Sequence, residues 1–287
     1  MKRAAAACAL ALLVLGGQRA RAELAERMIA IASPLEQLAG KSGDETVLEL
    51  NGARLHVSTA SVDADITAVL ERFERLCDAH APLLASQLQH DQGRGSGHVL
   101  QQNLGDAGVA VCVTQPRDAG LSELAQYASD YAQTGDLSVF GQLRYLTVRK
   151  TGAHASHVVL AHSSGALRLR DMFPERGDAA GADLPGISRP HGARRLLSAR
   201  NLGGGSGMVA YTVQEAAGSL QRYVDQLRAR GFVALPLPAA AGTERAAMFR
   251  GTTQLVVQSM KLNGETVIAA VALDSDSRME KNSDVDE

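Results

Sequence analysis

Two Asn-Gly dipeptides, Asn51-Gly52 and Asn263-Gly264, each separate short runs in which apolar and polar residues alternate. A type I′ turn requires positive φ at both central residues, and its twist matches that of two paired strands. Residues 47–50 and 53–58 are therefore expected to form one antiparallel hairpin, and 254–262 with 266–273 another. Composition and flanking turns add strands at 98–103 and 108–114, at 142–150 and 156–162 around Thr151-Gly152, and at 208–211 and 247–250, with 232–237 extended.

Three segments carry the helical period instead. Val62, Ile66, Val69, Leu70, Phe73, Leu76 and Cys77 make one apolar stripe, with Asp63 and Asp65 where a helix N-terminus favours negative charge. A second helix covers 121–133 with Leu124, Tyr127, Ala128 and Tyr131, ending before Gly135. A third begins at a capping box of Thr212 and Glu215, carries Ala216, Leu220, Tyr223, Val224 and Leu227, and stops at Gly231. A constant shift lays Val62, Val69, Phe73 and Leu76 over Val213, Leu220, Val224 and Leu227, which suggests an internal repeat. The fold class expected is α+β: two similar units, each an antiparallel sheet with a helix packed on one face.

The N-terminus has the parts of a secretory signal peptide over 1–22. Lys2 and Arg3 precede an apolar stretch, 4–15, and Ala20-Arg21-Ala22 supplies a small-x-small cleavage pattern. The stretch is shorter than the ~20 residues a bilayer needs, so no stable membrane insertion is expected after cleavage. The mature chain then divides into a helix and loop at 23–44, with Leu24, Met28 and Ile31 on one helical face, and a first domain at 45–169. A Pro/Gly/Arg-rich connector follows at 170–205, interrupted by Pro174, Pro185 and Pro190, then a second domain at 206–274 and a polar tail at 275–287. Export to the periplasm or the medium leaves Cys77 and Cys112 in an oxidising compartment. A disulfide between them is the simplest outcome, and two separate buried thiols are the alternative.

A net charge of -2 offers no global basic field for nucleic acid, and 3% aromatic content with no Trp supplies few stacking platforms. The histidines cluster at His154, His157 and His162. On a strand His154 and His162 share a face but lie ~26 Å apart, so an ion would need His98 or His56 from a neighbouring strand. Ser96 and Ser206 sit between glycines without the nucleophile-elbow pattern, and His162-Ser163-Ser164-Gly165 reads as a solvated loop. The run 203–207 precedes a strand, whereas phosphate-cradling loops follow one, so it reads as a linker. Asp274-Ser275-Asp276 lacks the glycine of a calcium loop.

No catalytic residue, cofactor or metal ligand is assigned on this basis. Arg168, Arg170, Arg189, Arg194, Arg195 and Arg200 gather in or beside the connector and make a candidate partner-binding patch. The function expected is that of an exported, non-enzymatic protein-binding or accessory module whose partner is another envelope or secreted protein. The alternative is a small exported hydrolase with a His/Ser/Asp site near the domain junction.

Overall fold

The computed structural model describes residue 38 and residues 43–79, 99–114, 121–214, 217–236, 244–262 and 264–274. The segments 1–22 and 23–32, His98, Glu215 and the tail 275–287 lie outside the described residues.

Twelve strands form one antiparallel sheet. They are β1 Glu45–Leu50, β2 Ala53–Val62, β3 Val99–Asn103, β4 Ala107–Thr114, β5 Gln142–Lys150 and β6 Ser156–Ser164, then β7 Arg194–Asn201, β8 Gly207–Val213, β9 Val233–Leu235, β10 Glu244–Arg250, β11 Thr253–Leu262 and β12 Glu265–Asp274. The helices are α1 Ile66–Ala79, α2 Leu121–Thr134, the single turn α3 Leu169–Met172, and α4 Ser219–Arg228. A 3-10 turn, Leu137–Phe140, follows α2. Across the sheet the order is β3-β4-β5-β6-β2-β1-β7-β8-β12-β11-β10-β9.

This corrects the expectation of two sheet-plus-helix units. The sheet is continuous because β1 pairs with β7, Leu50 opposite Ala199 and Glu49 opposite Arg200. Strand β7 lies inside the stretch read as a connector, and a bulge between Arg195 and Leu197 explains why it was hidden. The extra residue puts Leu196 and Leu197 side by side and breaks the alternation by which a strand is recognised. Residues 203–207, read as a linker, turn the chain from β7 into β8.

The helical readings need two further corrections. Thr212 belongs to β8, and α4 starts at Ser219 after Gly218, whose φ of 64° holds a left-handed cap rather than a capping box. Of the residues that the shift superposes, Val69 with Leu220 and Phe73 with Val224 are buried in both helices, whereas Leu76 is 41% exposed against a fully buried Leu227. The stripe of α1 that packs is Ile66, Val69, Leu70, Phe73 and Cys77.

Register shows that α1 and α4 lie on the same face of the sheet. Residues directly opposite in an antiparallel pair share a face. The row from Cys112 through Arg144 and His162 to His56 thus continues the face that carries Ala110, Leu146 and Val148. Those apolar residues pack under α1, while Val209, Tyr211, Met248, Leu255, Val257 and Ile268 pack under α4. Gly108 lets α1 approach closely, since a Cβ there would stand 3.0 Å from atoms of Ile66 and Val148. A disulfide joins Cys77 at the end of α1 to Cys112 in β4, with a Cα–Cα distance of 6.2 Å.

The opposite face holds the largest core cluster, built from Leu48, Leu50, Leu55, Val57, Val111, Tyr145, Val159 and Ala199. Over the first six strands it is closed by Leu167, Met172 of α3 and Leu137 of the 3-10 turn. Phe140 of that turn meets Tyr127 and Tyr131 of α2.

Candidate functional site

Between α1 and α4 no helix among the described residues lies over β6, β2, β1 and β7 on the helix-bearing face, which there presents Glu49, Arg54, His56, His162, Ser164 and Arg200 beside the apolar Val47, Ala60 and Leu160. Alternation along β2 puts Leu55 and Val57 into the opposite core and turns Arg54 and His56 to this side. His56 lies directly across from His162 of β6, and the rings stack with centroids 4.8 Å apart and planes 8° from parallel. Glu45, at the start of β1, brings Oε1 to 2.8 Å from His56 Nδ1. Ser164, at the end of β6, brings Oγ to 3.1 Å from His56 Nε2.

An ionised carboxylate can only accept, so Nδ1 of His56 carries the proton shared with Glu45, and Nε2, when it carries no proton, accepts from the Ser164 hydroxyl. The hydrogen bond from His56 holds the Glu45 carboxyl below its ordinary range against the opposing effect of burial. Burial, reinforced by His56 and Arg144, lowers the affinity of His162 for a proton, and Glu45 opposes them. Ligand atoms of Glu45, His56 and His162 all lie within 4.8 Å of one another. A hollow lined by Asp44, Glu45, Arg54, His56, Ser164, Asn201 and Gly203 opens beside Glu45 and His56, and His162 does not line it.

This cluster departs from the sequence reading in a specific way. Residues 162–164 are not a solvated loop but the end of a central strand, where Ser163 is buried and its Oγ accepts the N–H of Leu143. His154 lies in the turn after β5, and His157 is paired to Ser61 and Arg149, so neither joins the cluster. The pairing of His162 with His56 follows from strand order, which places β2 beside β6. Glu45 carried no signal in the sequence, since it sits just before the run recognised as a strand.

The order Ser164, His56, Glu45 is that of a nucleophile, base and carboxylate. In serine hydrolases the carboxylate is buried and fixes the imidazole against solvent. Glu45 is 56% exposed at its side chain and the hollow is open, so the arrangement lacks the water exclusion that makes such a relay effective.

The arginines named in the sequence are largely engaged within the chain. Arg195 is buried, donates to the carbonyls of Ala179 and Gly181, and pairs with Asp183 at 2.7 Å. Arg189 bridges Asp178 at 2.6 Å and Asp183 at 2.9 Å and lies over the Tyr211 ring. Arg200 pairs with Glu49 at 2.8 Å across the β1–β7 seam. Arg194 donates to the Gly177 carbonyl at 3.4 Å. Among the six, Arg168, Arg170 and Arg194 form no ion pair with a carboxylate among the described residues, although the charge of Arg168 acts on Asp136.

The second notable surface is on the other face. Beyond β12 no described element covers it. Leu235, Ala247, Val256 and Val271 form one row across β9, β10, β11 and β12, and Val233, Phe249, Gln254 and Leu273 form the next. Val233, Leu235, Phe249, Val256 and Leu273 are all exposed, and so are Met260 and Leu262 farther along β11. In the first six strands the α2 excursion leaves the chain between β4 and β5. Between β10 and β11 the chain turns through Gly251 and Thr252 alone, so no comparable excursion arises there. The apolar hollow lined by Leu50, Leu55, Tyr145, Leu167 and Met172 has a volume of about 20 Å³, about one water's room, so it is not a ligand cavity.

Comparison of the chain with protein-family models, with curated proteins and with solved structures finds no match to any of them. Among the described residues no helix is long and apolar enough to cross a membrane.

Proposed function

We propose that this chain is an exported, non-catalytic accessory protein that binds a second envelope or secreted protein through the bare face of β9–β12. The observation that carries the reading is the pair of apolar rows from Leu235 to Val271 and from Val233 to Leu273. A sheet with an apolar face is stabilised by an element laid against it, and a contiguous exposed patch of this kind marks an interaction surface. Full burial of a side chain such as Val256 or Phe249 contributes about 1.5–3 kcal/mol. The Cys77–Cys112 bond agrees with an oxidising compartment, and the signal-peptide pattern of 1–22 supplies the route there. The internal pairing of Arg189, Arg195 and Arg200 moves the weight of the partner hypothesis from the connector to this sheet face.

The test is site-specific photocrosslinking in the native envelope, with the photoreactive residue at Val256 or at Phe249. Gln221, on the exposed side of α4, serves as the control position. A discrete heterologous adduct from Val256 and Phe249, absent from Gln221, is the expected result. No adduct at the two sheet positions, the same adducts at Gln221, or an adduct of twice the chain's own mass would overturn the proposal.

A further inference from the structure

We infer that Glu45, His56 and His162 form a binding site for one divalent transition-metal ion of the zinc class, on the strip of sheet between the two helices. Two imidazoles and one carboxylate are a donor set that such ions take, with the fourth position left to water or an incoming ligand. The three side chains come from three adjacent strands, β1, β2 and β6, so the sheet fixes their backbone positions without any loop. Their ligand atoms already lie within 4.8 Å of one another. A tetrahedral ion with bonds of about 2.1 Å holds its ligands about 3.4 Å apart. His56 Nδ1 and Glu45 Oε1, now 2.8 Å apart across a shared proton, need only to open slightly for the ion to replace that proton. His162 must tilt out of the stack to aim a ring nitrogen at the same point. Neither of its ring nitrogens has a hydrogen-bond partner among the described residues.

Ser164 supplies the outer partner that a metal-bound histidine uses. When the ion takes Nδ1 of His56, the ring proton moves to Nε2, and Ser164 Oγ, 3.1 Å away, changes from donor to acceptor. Such second-layer hydrogen bonds orient the ligand ring, and their loss weakens metal affinity by about 10–100-fold. Asp44 adds a second carboxylate to the wall of the hollow, and the hollow opens to solvent, so an ion can enter and keep a water. Arg54 and Arg144 bring positive charge nearby and set an upper limit on affinity. The site is on the face opposite the proposed partner-binding rows, so the two proposals stand or fall separately.

The test is calorimetric titration of the full mature chain, free of any affinity tag, with Zn(II), accompanied by the visible spectrum of the Co(II)-loaded protein. The expected result is one equivalent of zinc and a Co(II) band of tetrahedral intensity, both abolished in His162→Ala and in His56→Ala. His162→Gln guards against a folding artefact, since it keeps the size of the side chain and must also abolish binding while far-UV circular dichroism is unchanged. Ser164→Ala weakens zinc about tenfold, and His154→Ala and His157→Ala leave it unchanged. Absence of stoichiometric binding by the parent chain, or binding that survives His162→Gln, overturns the assignment.

Discussion

Asn51 Oδ1 accepts a hydrogen bond from the backbone N–H of Ser198 at 2.7 Å, across the seam where β1 meets β7. The same amide donates through Nδ2 to the Met172 carbonyl at 2.6 Å and to the Leu196 carbonyl at 3.3 Å. Its backbone N–H donates to the Ser198 carbonyl at 2.7 Å. A turn residue with φ of 46° thus also joins the β7 bulge and α3 to the first hairpin, at 1% exposure.

Asn51→Ala removes three side-chain hydrogen bonds and leaves buried backbone groups without partners. It is expected to lower stability by about 3 kcal/mol, since each orphaned buried group costs about 1–3 kcal/mol. Asn51→Gly accepts the positive φ but loses the same bonds, so it should recover only a small part of that loss. Urea unfolding of the three proteins checks both statements, and equal stability of parent and Asn51→Ala would contradict the role given to the amide.

The bond between Cys77 and Cys112 closes a loop of sequence separation 35, which in the chain-entropy account stabilises the fold by about 4 kcal/mol. Cys77→Ser with Cys112→Ser should lower the thermal midpoint sharply and add nothing further when reductant is present. Reductant alone should bring the parent to the same midpoint. A parent protein insensitive to reductant would show that α1 holds to β4 by packing alone.

How much of this was legible in the sequence depends on whether the signal was local. The Asn51-Gly52 turn, the pairing of the two long strands β11 and β12, and the apolar stripe of α1 follow from backbone preference and periodicity, and they recur in the structure nearly as read, while Asn263 of the second turn lies outside the described residues. The Cys77–Cys112 pairing was legible because a helix stripe and a strand predicted next to it each carried one thiol. The single sheet was not legible. It depends on β7, whose bulge spoils the alternation and whose arginines suggested a solvated connector, although Arg195 is in fact buried against Asp183. The His56–His162 stack was accessible only as one of several cross-strand options, because which strands are neighbours is decided by the whole fold. Glu45 was not accessible, since its part in the cluster depends on where β1 begins and on the reach of one side chain.

Asp183 is held between Arg189 and Arg195, and its titration has a definite sign. Burial alone would raise its carboxyl, but hydrogen bonds from Arg195 and Arg189 outweigh that and hold it below the ordinary value of 3.8. A carboxyl depressed in the folded state stabilises the fold above its unfolded value, and the contribution disappears as pH falls through the native one. The parent should therefore lose stability more steeply than Asp183→Asn does as pH falls below the ordinary value of 3.8. At neutral pH Asp183→Asn should cost about 2 kcal/mol, because Arg195 loses its carboxylate partner, discounted for the partial exposure of Asp183. Chemical denaturation at a series of pH values measures both effects. Parallel curves for the two proteins would mean that Asp183 does not carry the acid sensitivity.

Adjacent residues on β11 give the sharpest check on which face is covered. Leu255 is fully buried against the cluster beneath α4, opposite Met248 and Ala272, whereas Val256, the next residue, is 41% exposed on the bare side. Leu255→Ala leaves a cavity under the helix and should cost about 2–5 kcal/mol. Val256→Lys faces water in the isolated chain and should change stability by no more than about 0.5 kcal/mol. It places a charge in the middle of the proposed interface, so it should also abolish the adduct formed from Phe249 in the crosslinking experiment. If Val256→Lys were as destabilising as Leu255→Ala, the outer strands would be covered on both faces within one molecule, and the partner would have no surface to occupy.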